Sequence, residues 1–170
     1  MPATSARAPL NRYQRLVRQA IEHAFSSLII PGFCWLYGED NTTVSLAALR
    51  QLPPGTLGRE IADTLDRHGL RLIPGYENHD LKHVLLGYAM TPEDELRLKA
   101  CLFGNGDYSP SGFGLLALAL FTPELWPELV VHYRRGRRLP PITPWQLAHY
   151  AACDVEQLRH SIGFYQAQQL

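Results

Sequence analysis

Three times in the second half of the chain a threonine is followed by proline at the head of an apolar stretch: Thr91-Pro92, Thr122-Pro123 and Thr143-Pro144. A threonine hydroxyl can cap a helix, and proline suits the first helical turn, where its missing N–H costs nothing. No segment sustains the alternation of period two that strands require, so the chain is expected to be all-α. Thr143 with Gln146 also spells a capping box. Leu147, Ala151, Val155, Leu158, Ile162 and Tyr165 then lay out one apolar stripe, which predicts a single long final helix. Upstream, Leu10, Tyr13, Val17, Ala20, Ile21, Ala24 and Leu28 fall at helical spacing over residues 10–30, ended by Pro31-Gly32. Thr43 is placed to cap a short helix to Leu52. Thr56 opens another, with Leu57, Ile61 and Leu65 on one face and Gly69 as its stop. The expectation is one all-α domain over residues 1–170, a bundle of about seven to eight helices with residues 1–9 disordered.

The size suits that reading. A chain of 170 residues can bury roughly two thirds of the surface its unfolded form exposes. Its formal net charge is zero, so no global field draws it to nucleic acid, and no nucleic-acid partner is expected. Cys34, Cys101 and Cys153 are far apart and odd in number, which argues for buried thiols and a reducing, cytoplasmic setting. The basic first 21 residues could pass for a targeting peptide, but their periodicity runs on into the first helix. The longest apolar run, residues 113–121, is too short to cross a bilayer, which takes about 20 residues. With the guanidiniums of Arg134, Arg135, Arg137 and Arg138 close behind it, this run is expected to rest on an anionic membrane surface, where each basic residue is worth about 1 kcal/mol.

The chemistry is concentrated in Tyr76-Glu77-Asn78-His79-Asp80-Leu81-Lys82-His83. On a helix over residues 78–88, His79, Asp80, His83 and Gly87 share one face, while Leu81, Val84, Leu85 and Tyr88 share the other. Two imidazoles at i and i+4 with a carboxylate between them suggest a metal site. The next helix begins at Thr91 and carries Glu93, Asp94 and Glu95 in its first turn, near the positive end of the dipole. One of these carboxylates can reach back over the turn.

The constellation His79-Asp80-x-x-His83, eleven residues, then Glu95, resembles the signature of the coenzyme Q biosynthesis protein 4 family. Pro54-Gly55-Thr56-Leu57-Gly58-Arg59-Glu60 and His83-Val84-Leu85-Leu86-Gly87 agree with it, and the likeness covers roughly residues 44–165. The resemblance implies a metal held by His79, Asp80, His83 and Glu95 in a helical protein with an apolar channel for a polyprenyl tail. It also implies removal of the ring carboxyl of a prenylated hydroxybenzoate, with hydroxyl in its place, and association with other quinone-biosynthesis proteins. A homodimer peripheral to the membrane is expected, on the matrix side of the mitochondrial inner membrane if the source is eukaryotic.

The residues themselves leave several readings open. Two nitrogens and up to two carboxylates form an open, mixed donor set that suits a divalent ion, zinc first and iron(II) or magnesium next. Asp80 can be a fourth ligand or a catalytic base beside the metal. Exchange of carboxyl for hydroxyl calls for an oxidant, and with no flavin or nicotinamide fingerprint, oxygen is the simplest choice. A His-Asp phosphohydrolase needs a further His and Asp that show no clear pattern. A metalloprotease needs a Glu where Asp80 stands. A scaffold that binds prenyl lipid without turnover uses the same channel, and the residues that would bind substrate are not identifiable from sequence.

Overall fold

The helix that Thr91-Pro92 announces is the one against which its neighbours are placed. In the computed structural model, residues 11–24, 27, 44–73 and 75–168 are described. They form α1 (Arg12–Ala24), α2 (Leu46–Arg50), α3 (Leu57–His68), α4 (Glu77–Leu86), α5 (Pro92–Gly104), α6 (Pro110–Ala117), α7 (Trp126–Arg138), α8 (Leu147–Tyr150), α9 (Val155–Ser161) and α10 (Phe164–Ala167). Two 3-10 turns, Leu118–Phe121 and Pro123–Leu125, lie between α6 and α7. Beyond one isolated bridge between Thr56 and Asp154, the described residues hold no β structure, and the all-α expectation stands.

The closest pairing is α5 against α7, and glycine makes it possible. A Cβ on Gly104 would stand 2.1 Å from the Tyr133 carbonyl oxygen, and one on Gly136 would stand 1.8 Å from that of Cys101. Neither distance is survivable, so the two backbones meet where no side chain intervenes. Gly104, the last residue of α5, sits inside this crossing. Asn105 then ties down the chain that leaves α7. Its Nδ2 donates to the carbonyls of Gly136 and Pro140 at 3.1 and 2.9 Å, and its Oδ1 accepts the Ile142 N–H at 2.9 Å.

That anchor explains the main departure from expectation. The Thr143 hydroxyl lies 3.2 Å from Asn105 Oδ1, so it does not cap a helix. The expected long final helix is instead α8, α9 and α10. Asp154 breaks it by capping α9 through the Gln157 N–H, and Gly163 breaks it again at φ +65°. In the same way, the hydroxyl of the buried Thr122 binds the Ala119 carbonyl, and α7 begins only at Trp126. Against the seven to eight helices expected, the described residues hold ten, and these breaks account for part of the difference.

Other signals hold. Thr91 accepts the Asp94 N–H, and Gly69 and Gly87 end α3 and α4 in the left-handed region. Ser45, a cap the pattern did not single out, starts α2; Thr43, Cys34, residues 1–9 and, of the predicted first helix, residues 10, 25, 26 and 28–30 lie outside the described residues. The core gathers Leu57, Ile61 and Leu65 of α3 with Leu81 and Leu85 of α4, Leu98 and Leu102 of α5, and Ile142 and Leu147. Each such side chain contributes about 1.5–3 kcal/mol by leaving water. α1 sits more lightly, with Tyr13 and Leu16 exposed and Ile21 buried. It is held by Arg18, which pairs with Glu93 and Glu124. Cys101 is a buried free thiol and Cys153 a half-buried one.

Candidate metal centre

Helix α4 lies inside the protein on all its faces. Glu77, His79, Asp80, Leu81, Lys82, His83, Leu85 and Leu86 are buried, so the face expected to carry the donors is enclosed along with the face expected to pack. Its exit is fixed by two buried or half-buried guanidiniums. Arg135 donates to the Leu86 carbonyl at 3.2 Å, and Arg159 to those of Leu85 and Val84 at 3.1 and 2.7 Å. The Phe164 ring lies between them, 4.6 and 5.2 Å from their centres. Cations at a helix C-terminus answer the negative end of its dipole. Arg135 was expected at a membrane surface with its neighbours. It is instead the interior member of that cluster, while Arg134, Arg137 and Arg138 are exposed. At the other end of α4, Asn78 Oδ1 accepts the Leu147 N–H at 2.8 Å.

The turn after α4 is tight enough to return α5 to the same place. Gly87 reverses the chain, Ala89 N–H reaches Asp94 Oδ2 at 2.8 Å, and Glu95 N–H reaches the Thr91 carbonyl at 2.9 Å. Glu95 thereby meets both imidazoles. His83 Nε2 is 2.8 Å from Glu95 Oε1, and His79 Nε2 is 3.3 Å from Oε2. One donor atom from each of His79, His83 and Glu95 lies within 4.8 Å of the other two. Asp80 is buried next to the group, but its carboxylate does not join these three donors.

His83 Nδ1 faces the Tyr88 carbonyl at 3.3 Å. That contact turns Nε2 toward Glu95, the usual way a ligating imidazole is oriented. Tyr76 stacks on His79 with ring centres 4.3 Å apart. Both His79 Nε2 and Glu95 Oε2 are buried without a hydrogen bond despite their proximity. Buried polar atoms normally have partners, so two such orphans pointing at each other fit a site built for a shared ion. Within the described residues, the arrangement suits a divalent cation.

The electrostatics agree. Burial pulls His79 down to about 4, against the opposing pull of Glu95, so it is the neutral, ligating form at pH 7. Burial acts on His83 too, but its hydrogen bond and charge contact with Glu95 prevail and raise it. Glu95 is held well below the usual carboxylate range, the two imidazoles outweighing its burial. Asp80 is pushed up to about 7 by burial and by Glu95 and Glu77, with His83 opposing. A carboxyl at that value exchanges a proton near neutrality.

Pattern reasoning found the donors but not what surrounds them. Glu77, Lys82 and Lys99 are buried here, though charged residues in a helical pattern are ordinarily assigned to solvent. The places of Lys82, three residues after His79, and Lys99, four after Glu95, were the available signal.

No family model matches the chain. It is 29% identical over 153 residues to the ubiquinone biosynthesis protein coq4, mitochondrial, of Botryotinia fuckeliana, covering 71% of this chain and 51% of that one. The protein of the same name from Phaeosphaeria nodorum is 27% identical over 146 residues, covering 72% and 50%. That from Neurospora crassa is 32% identical over 93 residues, covering 44% and 27%. The chain thus spans about half the length of the first two of these curated relatives. A crystal structure from Nostoc punctiforme PCC 73102, of a protein named for ubiquinone biosynthesis, superposes with a TM-score of 0.56 at 18% identity, covering 89% of this chain and 82% of that one. That likeness speaks for the fold alone. Several relatives of one name thus agree, and the chain is similar over about 70% of its length to ubiquinone biosynthesis proteins named coq4.

Proposed function

We propose that this chain acts in ubiquinone biosynthesis, holding a divalent ion with His79, His83 and Glu95 and removing the ring carboxyl of a polyprenylated hydroxybenzoate. The observation that carries the reading is the convergence of three donors with two buried, unpartnered ligand atoms among them. Zinc fits the set best, with iron(II) or magnesium also compatible with it. When bound, such an ion supplies a Lewis acid that can anchor a carboxylate and take up charge as carbon dioxide leaves. The chain's own residues do the rest. Tyr76 stacks on His79 and limits its rotation, the Tyr88 carbonyl orients His83, and the Arg135 and Arg159 guanidiniums hold the end of α4. Asp80, near neutrality in its acidity, is the group that would carry a proton to or from the reacting ring. Hydroxyl replaces carboxyl only with an oxidant, for which molecular oxygen is the expected partner.

The tail would lie along apolar surface. Phe113, Leu120, Phe121, Trp126 and Val130 are exposed on or beside the bend between α6 and α7, and no single helix among the described residues is long and apolar enough to cross a membrane. We take the chain to work as a membrane-peripheral homodimer beside other quinone-biosynthesis proteins, on the matrix side in a eukaryote. A scaffold that binds the same lipid without turnover is the rival reading.

Asp80→Asn separates the two, since it keeps shape but removes a proton acceptor and a charge. The measurement is complementation of a quinone-deficient strain, with accumulated intermediates identified by mass. Build-up of the carboxylated precursor is expected, and full rescue would refute catalysis by Asp80.

A further inference from the structure

Helix α7 carries none of the three donors, yet it has a hold on one of them through Tyr88. This residue meets His83 twice: its N–H donates to the His83 carbonyl at 2.9 Å, and its own carbonyl lies 3.3 Å from His83 Nδ1. Its buried side chain turns to α7. The hydroxyl is 2.7 Å from His132 Nδ1, and the two rings meet edge to face with centres 5.3 Å apart. Arg135, three residues further on the same helix face, donates to that hydroxyl at 3.4 Å. Gly136, the next residue, is what lets α7 come so close to α5.

The direction of each bond follows from its partners. A guanidinium only donates, so the Tyr88 oxygen accepts from Arg135 and offers its own proton to His132 Nδ1. The Cys101 thiol lies against the same hydroxyl, but sulfur is a weak acceptor. Burial, helped by the charges of Arg135 and Arg97 against Asp94 and Glu128, pulls His132 down to about 4, which leaves the ring neutral and Nδ1 free to accept. Tyr88 stands beyond the C-terminus of α4 and the left-handed Gly87. Its carbonyl therefore has no place in the helix ladder, and its position depends on what the side chain holds.

We infer that His132 is a positioning residue of the candidate metal centre, anchoring the Tyr88 hydroxyl and, through the Tyr88 carbonyl, the tautomer and orientation of His83. The inference rests on the metal reading proposed above. An imidazole whose Nδ1–H is held by a fixed carbonyl keeps Nε2 unprotonated and aimed at its ion. Without His132 the phenol proton loses its buried acceptor, the Tyr88 peptide is freer to turn, and His83 loses the contact that orients it.

The test uses the full chain, stripped of metal and titrated with cobalt(II), whose visible absorption reports how its ligands are arranged. Tyr88→Phe and His132→Leu should each weaken cobalt affinity about tenfold, the lower end for groups that orient a ligand, and shift the absorption. His132→Asn, which keeps an acceptor near the place of Nδ1, should retain the original affinity and spectrum. The double variant should be no worse than either single one, because both break the same link. Additive losses overturn the inference, and so do single variants that match the original in affinity and spectrum. Long-range proton–nitrogen NMR of the unaltered chain needs no variant to fold. It should show His132 with its proton on Nε2, and a proton on Nδ1 overturns the inference. An unaltered chain that takes up no cobalt defeats the metal reading and the inference with it, whereas normal uptake that both variants leave unchanged defeats the inference alone.

Discussion

The helix α4 and the segment from Phe113 to Phe121 are arranged in opposite senses. α4 carries Glu77, His79, Asp80, Lys82 and His83 and is buried all round. The later segment is the most apolar stretch of the chain, yet Phe113, Leu120 and Phe121 are 52%, 70% and 55% exposed. In an ordinary globular core these assignments would be reversed, because burying charge costs free energy and exposing apolar surface forfeits it. Stability alone explains neither region. The ion proposed for His79, His83 and Glu95 would account for the first, and the apolar partner proposed for the surface would account for the second.

The sharpest way to break this comparison is His83→Ala. His83 is fully buried and meets Glu95 at 2.8 Å, so its loss removes one of three donors and leaves the carboxylate without that partner. Zinc content, measured by elemental analysis of purified protein, should fall from about one ion per chain to a small fraction of that, with the helical circular dichroism retained. Undiminished zinc would show that the buried charges of α4 serve another purpose.

The donors were legible because their spacing is local. The i, i+4 pair needs only a helix; the short turn from Gly87 to Thr91 brings back one of Glu93, Asp94 and Glu95, and the family resemblance is what singles out Glu95. Lys82, Lys99 and Arg135 were not legible, because a charged residue signals solvent until its tertiary neighbours are known. Arg135 reaches the end of α4 from a helix 49 positions away in the chain, which no window of sequence contains. Of the final stripe, Leu147, Ala151, Val155 and Ile162 are buried and Leu158 half-buried while Tyr165 is exposed, Asn105 took the Thr143 cap and Gly163 bent the chain. Periodicity reports which residues go inside and is silent on where a helix breaks.

Acidity gives a smaller, graded test of the interior region. Without metal, the raised His83 holds a proton against Glu95, and an ion must displace it. Zinc affinity should therefore fall as pH drops through the His83 value, by about tenfold per unit for one proton. His79, at about 4, adds no second proton until the solution is far more acidic. Stability of the metal-free protein runs the other way. The His83–Glu95 contact contributes fully below the unfolded imidazole value and is lost as pH rises through the folded one. Chelator competition and thermal melts across that range check both slopes. Zinc affinity that does not change with pH would mean that His83 is not a ligand.

The exposed region should respond least in stability and most in partition. Leu120 and Phe121 lie on the 3-10 turn after α6 with their side chains largely in water, so replacing both by Ser removes little that folding buries. Surface changes of this kind stay within about 0.5 kcal/mol, and the melting temperature should scarcely move. If the face rests on lipid, the same double substitution loses the apolar area that would enter the headgroup boundary, at roughly 25 cal/mol per Å². Recovery with floated vesicles of mixed neutral and anionic lipid should then drop several-fold at unchanged zinc content, because Phe121 and His83 sit in separate parts of the fold. A variant that floats as well as the original but changes oligomeric state would show that the face is covered by a second copy of the chain. A variant that melts much earlier would show that the apolar segment belongs to the core, and the contrast with α4 would disappear.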